Sequence, residues 1–114
     1  FLNLYKNNVA DIGGIAYMPL VNNVCLAYNS VTDLTPLAGL KYIETLYVFM
    51  NRVTDVSPLA NLVSLKDLRI DFNPIRDVSP LVGLRYLESL NIQQTDIENL
   101  GPLLKLTNLK NLHQ

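Results

Sequence analysis

The chain has 114 residues, an apolar share of 49% and a formal charge of −1 from nine basic and ten acidic side chains. That is long enough for one domain, with no charge excess to draw it to nucleic acid or to an anionic membrane surface. Its uninterrupted apolar runs stay far below the roughly 20 residues that cross a bilayer, so no membrane insertion is expected within it, and its single cysteine, Cys25, excludes an internal disulfide framework or a cysteine-rich metal site.

Taken from the N-terminus, the first feature is Leu2-Asn3-Leu4, an apolar-x-apolar unit whose period of two marks a strand with one buried face. Asn7, Val9 and Asp11 follow, and then Gly13-Gly14, Ile15 and Met18. The same series returns every 22 residues. Val24-Cys25-Leu26 leads to Asn29, Val31, Asp33, Leu37 and Leu40; Leu46-Tyr47-Val48 leads to Asn51, Val53, Asp55, Leu59 and Leu62. Leu68-Arg69-Ile70 is followed by Asn73, Ile75, Asp77, Leu81 and Leu84, and Leu90-Asn91-Ile92 by Thr95, Ile97, Asn99, Leu103 and Leu106. Leu112-His113-Gln114 opens a sixth strand. A fixed period of this kind means an array of structural repeats, each unable to bury its own apolar face alone. The whole of residues 1–114 is therefore read as one repeat segment, about five 22-residue repeats plus the start of a sixth, with its terminal caps missing.

The columns have physical reasons. Stacked at the parallel-strand spacing of roughly 4.8 Å, the repeats make one core and pair each strand with the next. The asparagine stands where the chain leaves the strand, and its amide can both donate to and accept from the backbone groups of a buried turn. Thr95 can do only part of that, so the last full turn is expected to be looser. Pro36, Pro58, Pro80 and Pro102 suit the first turn of a short helix, and the few residues left before the next strand fit a single 3₁₀ or α turn. The aspartates three residues ahead of Pro36, Pro58 and Pro80 place a carboxylate by that turn's free N–H groups, a structural role and not a catalytic one.

The run Leu65-Lys66-Asp67-Leu68-Arg69-Ile70-Asp71-Phe72-Asn73 carries the leucine-rich-repeat pattern, and the chain resembles that family over its whole length. With the 22-residue period, the strings VTDLTPLAGL, VTDVSPLANL and IRDVSPLVGL at residues 31–40, 53–62 and 75–84 are similar to the internalins and related bacterial surface proteins. The resemblance implies an α/β solenoid, with short parallel β-strands on a concave face and 3₁₀ or short helical turns on the convex face. It also implies a partner protein bound across the concave sheet and a location outside the cell or on a bacterial surface. A leucine-rich-repeat regulatory subunit of eukaryotic protein phosphatases shares the repeat length but not the Ser-Pro or Thr-Pro step; it stays as the alternative, with a cytoplasmic location.

Alternation along the strands assigns the concave rows. These are Asn3 and Tyr5; Asn23, Cys25 and Ala27; Thr45, Tyr47 and Phe49; Asp67, Arg69 and Asp71; Ser89, Asn91 and Gln93. Lys6, Tyr28, Met50, Phe72 and Gln94 stand beside the turns. Aromatic residues, methionine and arginine are enriched where binding energy concentrates, so Tyr5, Tyr28, Tyr47, Phe49, Met50, Arg69 and Phe72 are the candidate partner-binding residues. Two placements stay open for Tyr28, Met50 and Phe72: in the partner's surface, or tucked into the turns as an extension of the core. Asp67, Arg69 and Asp71 are expected to form a solvated ion-pair patch that tunes partner choice, because the arginine neutralises a carboxylate pair that could otherwise bind metal or move protons. His113 lacks an acid or nucleophile in its row, and no Gly-rich phosphate loop or zinc spacing occurs. No cofactor, metal or enzymatic activity is expected. If the caps are missing, hydrogen exchange should protect the strands of the middle repeats and show fraying at both ends; uniform protection would contradict it.

Overall fold

The computed structural model describes the whole chain, Phe1–Gln114. Six short strands, β1 (Leu2–Asn3), β2 (Asn23–Cys25), β3 (Thr45–Tyr47), β4 (Asp67–Arg69), β5 (Ser89–Asn91) and β6 (Asn111–His113), form one parallel sheet in chain order. Leu2, Val24, Leu46, Leu68, Leu90 and Leu112 lie opposite one another from strand to strand, so each pairing keeps the spacing of the sequence repeat. The fold is the leucine-rich-repeat solenoid that the columns imply. Between strands the chain returns through 3₁₀ turns at Gly13–Tyr17, Thr35–Leu37, Ser57–Leu59, Ser79–Gly83 and Gly101–Lys105. Proline stands in the first turn of the last four.

Each turn is started by the residue two places ahead of it. Asp33 Oδ1 accepts the Thr35 N–H at 2.9 Å, and Asp55 and Asp77 accept those of Ser57 and Ser79 at 2.8 Å. Asp11 and Asn99 do the same for Gly13 and Gly101. The backbone N–H bonds hold the carboxyls of Asp33, Asp55 and Asp77 below their ordinary value of 3.8. Their folded-state pKa is depressed, so the stability they contribute is present above that ordinary value and is lost as pH falls through the depressed one.

One core of 28 buried side chains runs the length of the coil, filled by the strand and turn columns alike. At its edge the asparagines form a ladder. Asn51 Nδ2 donates to Leu26 O and Val48 O, both at 2.9 Å, while its Oδ1 accepts the Val31 N–H of the previous coil at 2.9 Å. Asn73 repeats this with Val48 O, Ile70 O and the Val53 N–H, and Asn29 with Leu4 O, Leu26 O and the Val9 N–H. Asn51 and Asn73 are buried, and no buried side-chain polar atom in the chain lacks a partner. Thr95 makes only one bond of this kind, from Oγ1 to Ile92 O, and the Ile75 N–H turns to Asn73 O instead. The ladder therefore stops one coil early, as the side-chain chemistry demands.

The corner residues Lys6, Tyr28, Met50, Phe72 and Gln94 all take left-handed backbone angles, with φ from 53° to 58°. Such a conformation costs a side-chain-bearing residue about 1 to 2 kcal/mol. It is held because the Tyr28, Met50 and Phe72 N–H groups still reach Phe49 O, Asp71 O and Gln93 O on the next coil. Two residues of the concave rows are less exposed than expected. Asp71 is only 1% exposed, not solvated, because it lies beneath Arg69; Ala27 is also covered, its methyl being too short to clear Tyr5 and Phe49 in the same column.

Replacing Asn73 by Ala strands the Val53 N–H and the Ile70 carbonyl, since Val48 O keeps Asn51 and Asp71 O keeps the Met50 N–H; each unpaired buried group costs about 1 to 3 kcal/mol, so urea unfolding should show a loss of about 3 kcal/mol. Thr95→Asn extends the ladder by one coil and should gain about 1 kcal/mol in the same assay. Equal and small effects at both positions would contradict the ladder's role.

Candidate functional site

Within β3 and its continuation, Leu46 and Val48 turn inward and are fully buried, which forces Tyr47 and Phe49 onto the concave side. The rings meet in a continuous series. Tyr5 and Tyr28 are 5.3 Å apart at 69°, Tyr28 and Phe49 5.7 Å apart at 83°, and Tyr47 and Phe49 6.3 Å apart at 53°. The first two are edge-to-face pairs, worth about 0.5 to 1.5 kcal/mol each beyond their burial, and the third is tilted, so the aromatic surface is preorganised.

β4 supplies the charges. The Arg69 guanidinium lies 3.8 Å from the centre of the Phe49 ring and 5.9 Å from that of Tyr47. From its other side Asp71 grips it twice, Nη2 to Oδ2 at 2.9 Å and Nε to Oδ1 at 3.3 Å. A buried carboxylate is tolerated only with such a partner, and the planar fork of arginine fits both oxygens. Asp67 faces the other neighbour: its Oδ2 accepts the Tyr47 hydroxyl at 2.7 Å. That bond to a carboxylate, reinforced by partial burial, pushes the Tyr47 phenol up to about 12. Beyond β4 the face is lined by amides and hydroxyls. Asn91 Oδ1 accepts the Gln93 N–H at 3.0 Å, as Asn3 Oδ1 does for Tyr5.

Of the candidate residues, Tyr5, Tyr28, Tyr47, Phe49 and Arg69 are brought together in this one patch. Met50 and Phe72 are not part of it. They line an open depression along the corners of the coils, with Asn29, Arg52 and Pro74. Tyr28 and Phe72 are 42% and 47% exposed and do not tuck into the core, while Met50 is half-buried. The sequence reading missed that Asp71 sits beneath Arg69 and that Asp67 binds Tyr47. The available signal was an aspartate in the column otherwise filled by Tyr5, Ala27, Phe49 and Gln93. Cys25 is a free, half-buried thiol in β2, and no three His, Cys, Asp or Glu side chains converge as a metal site would require. No helix is long and apolar enough to cross a membrane.

The family model for leucine-rich repeats, in two copies, matches residues 43–83. No curated protein sequence matches the chain. Among solved structures it is similar to internalin C2 of Listeria monocytogenes, at 34% identity and a TM-score of 0.95 over 96% of this chain and 49% of that one. A second internalin of that organism, inlF, gives 35% identity and a TM-score of 0.92 over 96% of this chain and 33% of that one. A leucine-rich-repeat protein of Leptospira interrogans shares the fold at 20% identity, with a TM-score of 0.84 over 93% of this chain and 28% of that one. The chain thus spans half or less of the length of each of these structures.

The Tyr47–Asp67 bond has a direct spectroscopic consequence. In an ultraviolet titration of tyrosinate, one of the six tyrosines should ionise near 12. Tyr47→Phe should remove that step, and Asp67→Asn should move it down. Because the folded-state value is raised, the associated stability is present below the ordinary tyrosine pKa of about 10 and is lost as pH rises through the folded-state value. A late step that survives Tyr47→Phe would assign it elsewhere.

Proposed function

Because the chain is an internalin-like leucine-rich-repeat solenoid, we propose that it is the protein-binding module of a bacterial surface or secreted protein, with its partner held on the concave face of the sheet. The observation that carries this reading is the linked series Tyr5, Tyr28, Phe49 and Tyr47, with Arg69 stacked on Phe49. Tyr5 and Tyr28 remain 46% and 42% exposed although they pack on one another. Apolar side chains gathered on a rigid, exposed surface are characteristic of contact sites, since isolated ones suffice for ordinary surfaces. Met50 and Phe72 extend the contact to the corners of the coils. The fold supports it too: strands fixed by the asparagine ladder present the rings at little cost in lost freedom on binding.

A binding role is preferred to catalysis because the face leaves no two acids free to work together. Asp71 is neutralised by Arg69, and Asp67 accepts from Tyr47. The location outside the cell follows from the internalin-like character alone and is part of the same proposal.

An array of purified animal cell-surface receptor ectodomains, probed with the full chain and with the Tyr47→Ala, Phe49→Ala double variant, tests this. A receptor that binds the chain should lose about 2 kcal/mol or more of affinity with the double variant, the loss typical of central anchors. Binding that the double variant retains would move the contact off the concave face.

A further inference from the structure

The charges of the concave face are unequal, and they state what chemistry it can receive. Its rows hold two carboxylates, Asp67 and Asp71, one guanidinium, Arg69, and at the far end, two strands from Asp67, the imidazole of His113 in β6. The charge of Arg69 is paired internally: Asp71 holds it through two hydrogen bonds, and Phe49 covers one of its faces. Asp67 is half-buried, is in no ion pair, and gives only Oδ2 to the Tyr47 hydroxyl. In strand register it is flanked by Thr45 on one side and Ser89 on the other, so an acceptor row of hydroxyl, carboxylate and hydroxyl crosses β3, β4 and β5. Strands about 4.8 Å apart leave Asp67 Oδ1 and a neighbouring hydroxyl within reach of one ammonium or guanidinium group. The aromatic series begins one residue pair further along the same strands, at Tyr47 and Phe49.

Resting on the concave-face reading above, we infer that the partner contributes an extended segment in which a lysine or arginine meets Asp67, Thr45 and Ser89 while an adjacent apolar or aromatic side chain packs on Tyr28 and Phe49. Arg69 is then a positioning residue that fixes the Phe49 ring, and not a receptor for a partner carboxylate. An acidic segment would bring its charge against Asp67 and find no lysine or unpaired arginine among the concave rows. A basic one gains a charge-assisted hydrogen bond in a half-buried setting, where it is worth more than on an open surface.

The probe is a display library of random dodecapeptides selected on the full chain, with the best peptide then titrated against variants. Selected peptides should be enriched in Lys or Arg next to aromatic or aliphatic residues, and their affinity should fall as salt rises. Asp67→Asn, which keeps the shape of the side chain, should weaken binding about tenfold, the factor typical of a lost charge-assisted bond. Circular dichroism checks that this variant folds, and Thr45→Val offers a second, milder loss at the same row. Peptides that are acidic or neutral, or that bind Asp67→Asn unchanged yet lose binding to the Tyr47→Ala, Phe49→Ala variant, would overturn the basic-segment inference and leave the concave-face reading standing. Peptides indifferent to that double variant would overturn both. So would a selection that yields no peptide while a glycan array gives a binder.

Discussion

The turn out of each strand is the constraint on which this structure depends. A parallel strand buried along one side must reverse direction within a few residues, and that leaves N–H and C=O groups facing an apolar core. In the second to fourth coils one primary amide answers them from both sides: Asn51 ties Leu26 O and Val48 O to the Val31 N–H, and Asn73 ties Val48 O and Ile70 O to the Val53 N–H. Each asparagine thus bonds its own coil and the one before it. That is why the strand register holds from coil to coil where the asparagines stand, beside the left-handed corners at Tyr28, Met50 and Phe72.

A rigid register has a consequence for the face it carries. Residues that share a column in the sequence become neighbours in space, so Tyr5, Ala27, Phe49, Asp71 and Gln93 lie in one row across the sheet. The aromatic series does not follow that row alone. It passes through Tyr28, at the corner of the second coil, because Ala27 is too small to bridge Tyr5 and Phe49. Beyond Phe49 the series ends on a cation, and the buried Asp71 beneath Arg69 keeps that cation in place. The face is divided into an aromatic part over the first three coils and a polar part over the rest, with Asp67 at the boundary.

The internalin-like likeness and the geometry agree on the level of the fold. The solenoid is common to the similar structures, with TM-scores from 0.84 to 0.95 at identities of 20% to 35%. What these repeats hold constant is the buried columns. The concave rows change from coil to coil here, which is expected where the scaffold demands only that alternate residues point inward.

Periodicity in the sequence determined the solenoid, the strands, the proline-started turns, the asparagine ladder and its weak step at Thr95, because each of those follows from one residue type recurring at one spacing. It also determined which side chains leave the core, and so named the aromatic candidates. Only the tertiary structure decided how those side chains pair: that Tyr28 and not Ala27 links Tyr5 to Phe49, that Met50 and Phe72 stand apart along the corners, that Asp71 is buried under Arg69 while Asp67 turns to Tyr47. Those outcomes depend on side-chain length and direction across neighbouring coils. A column records that two residues are adjacent, but which neighbour a side chain leans toward is settled by packing and charge in three dimensions.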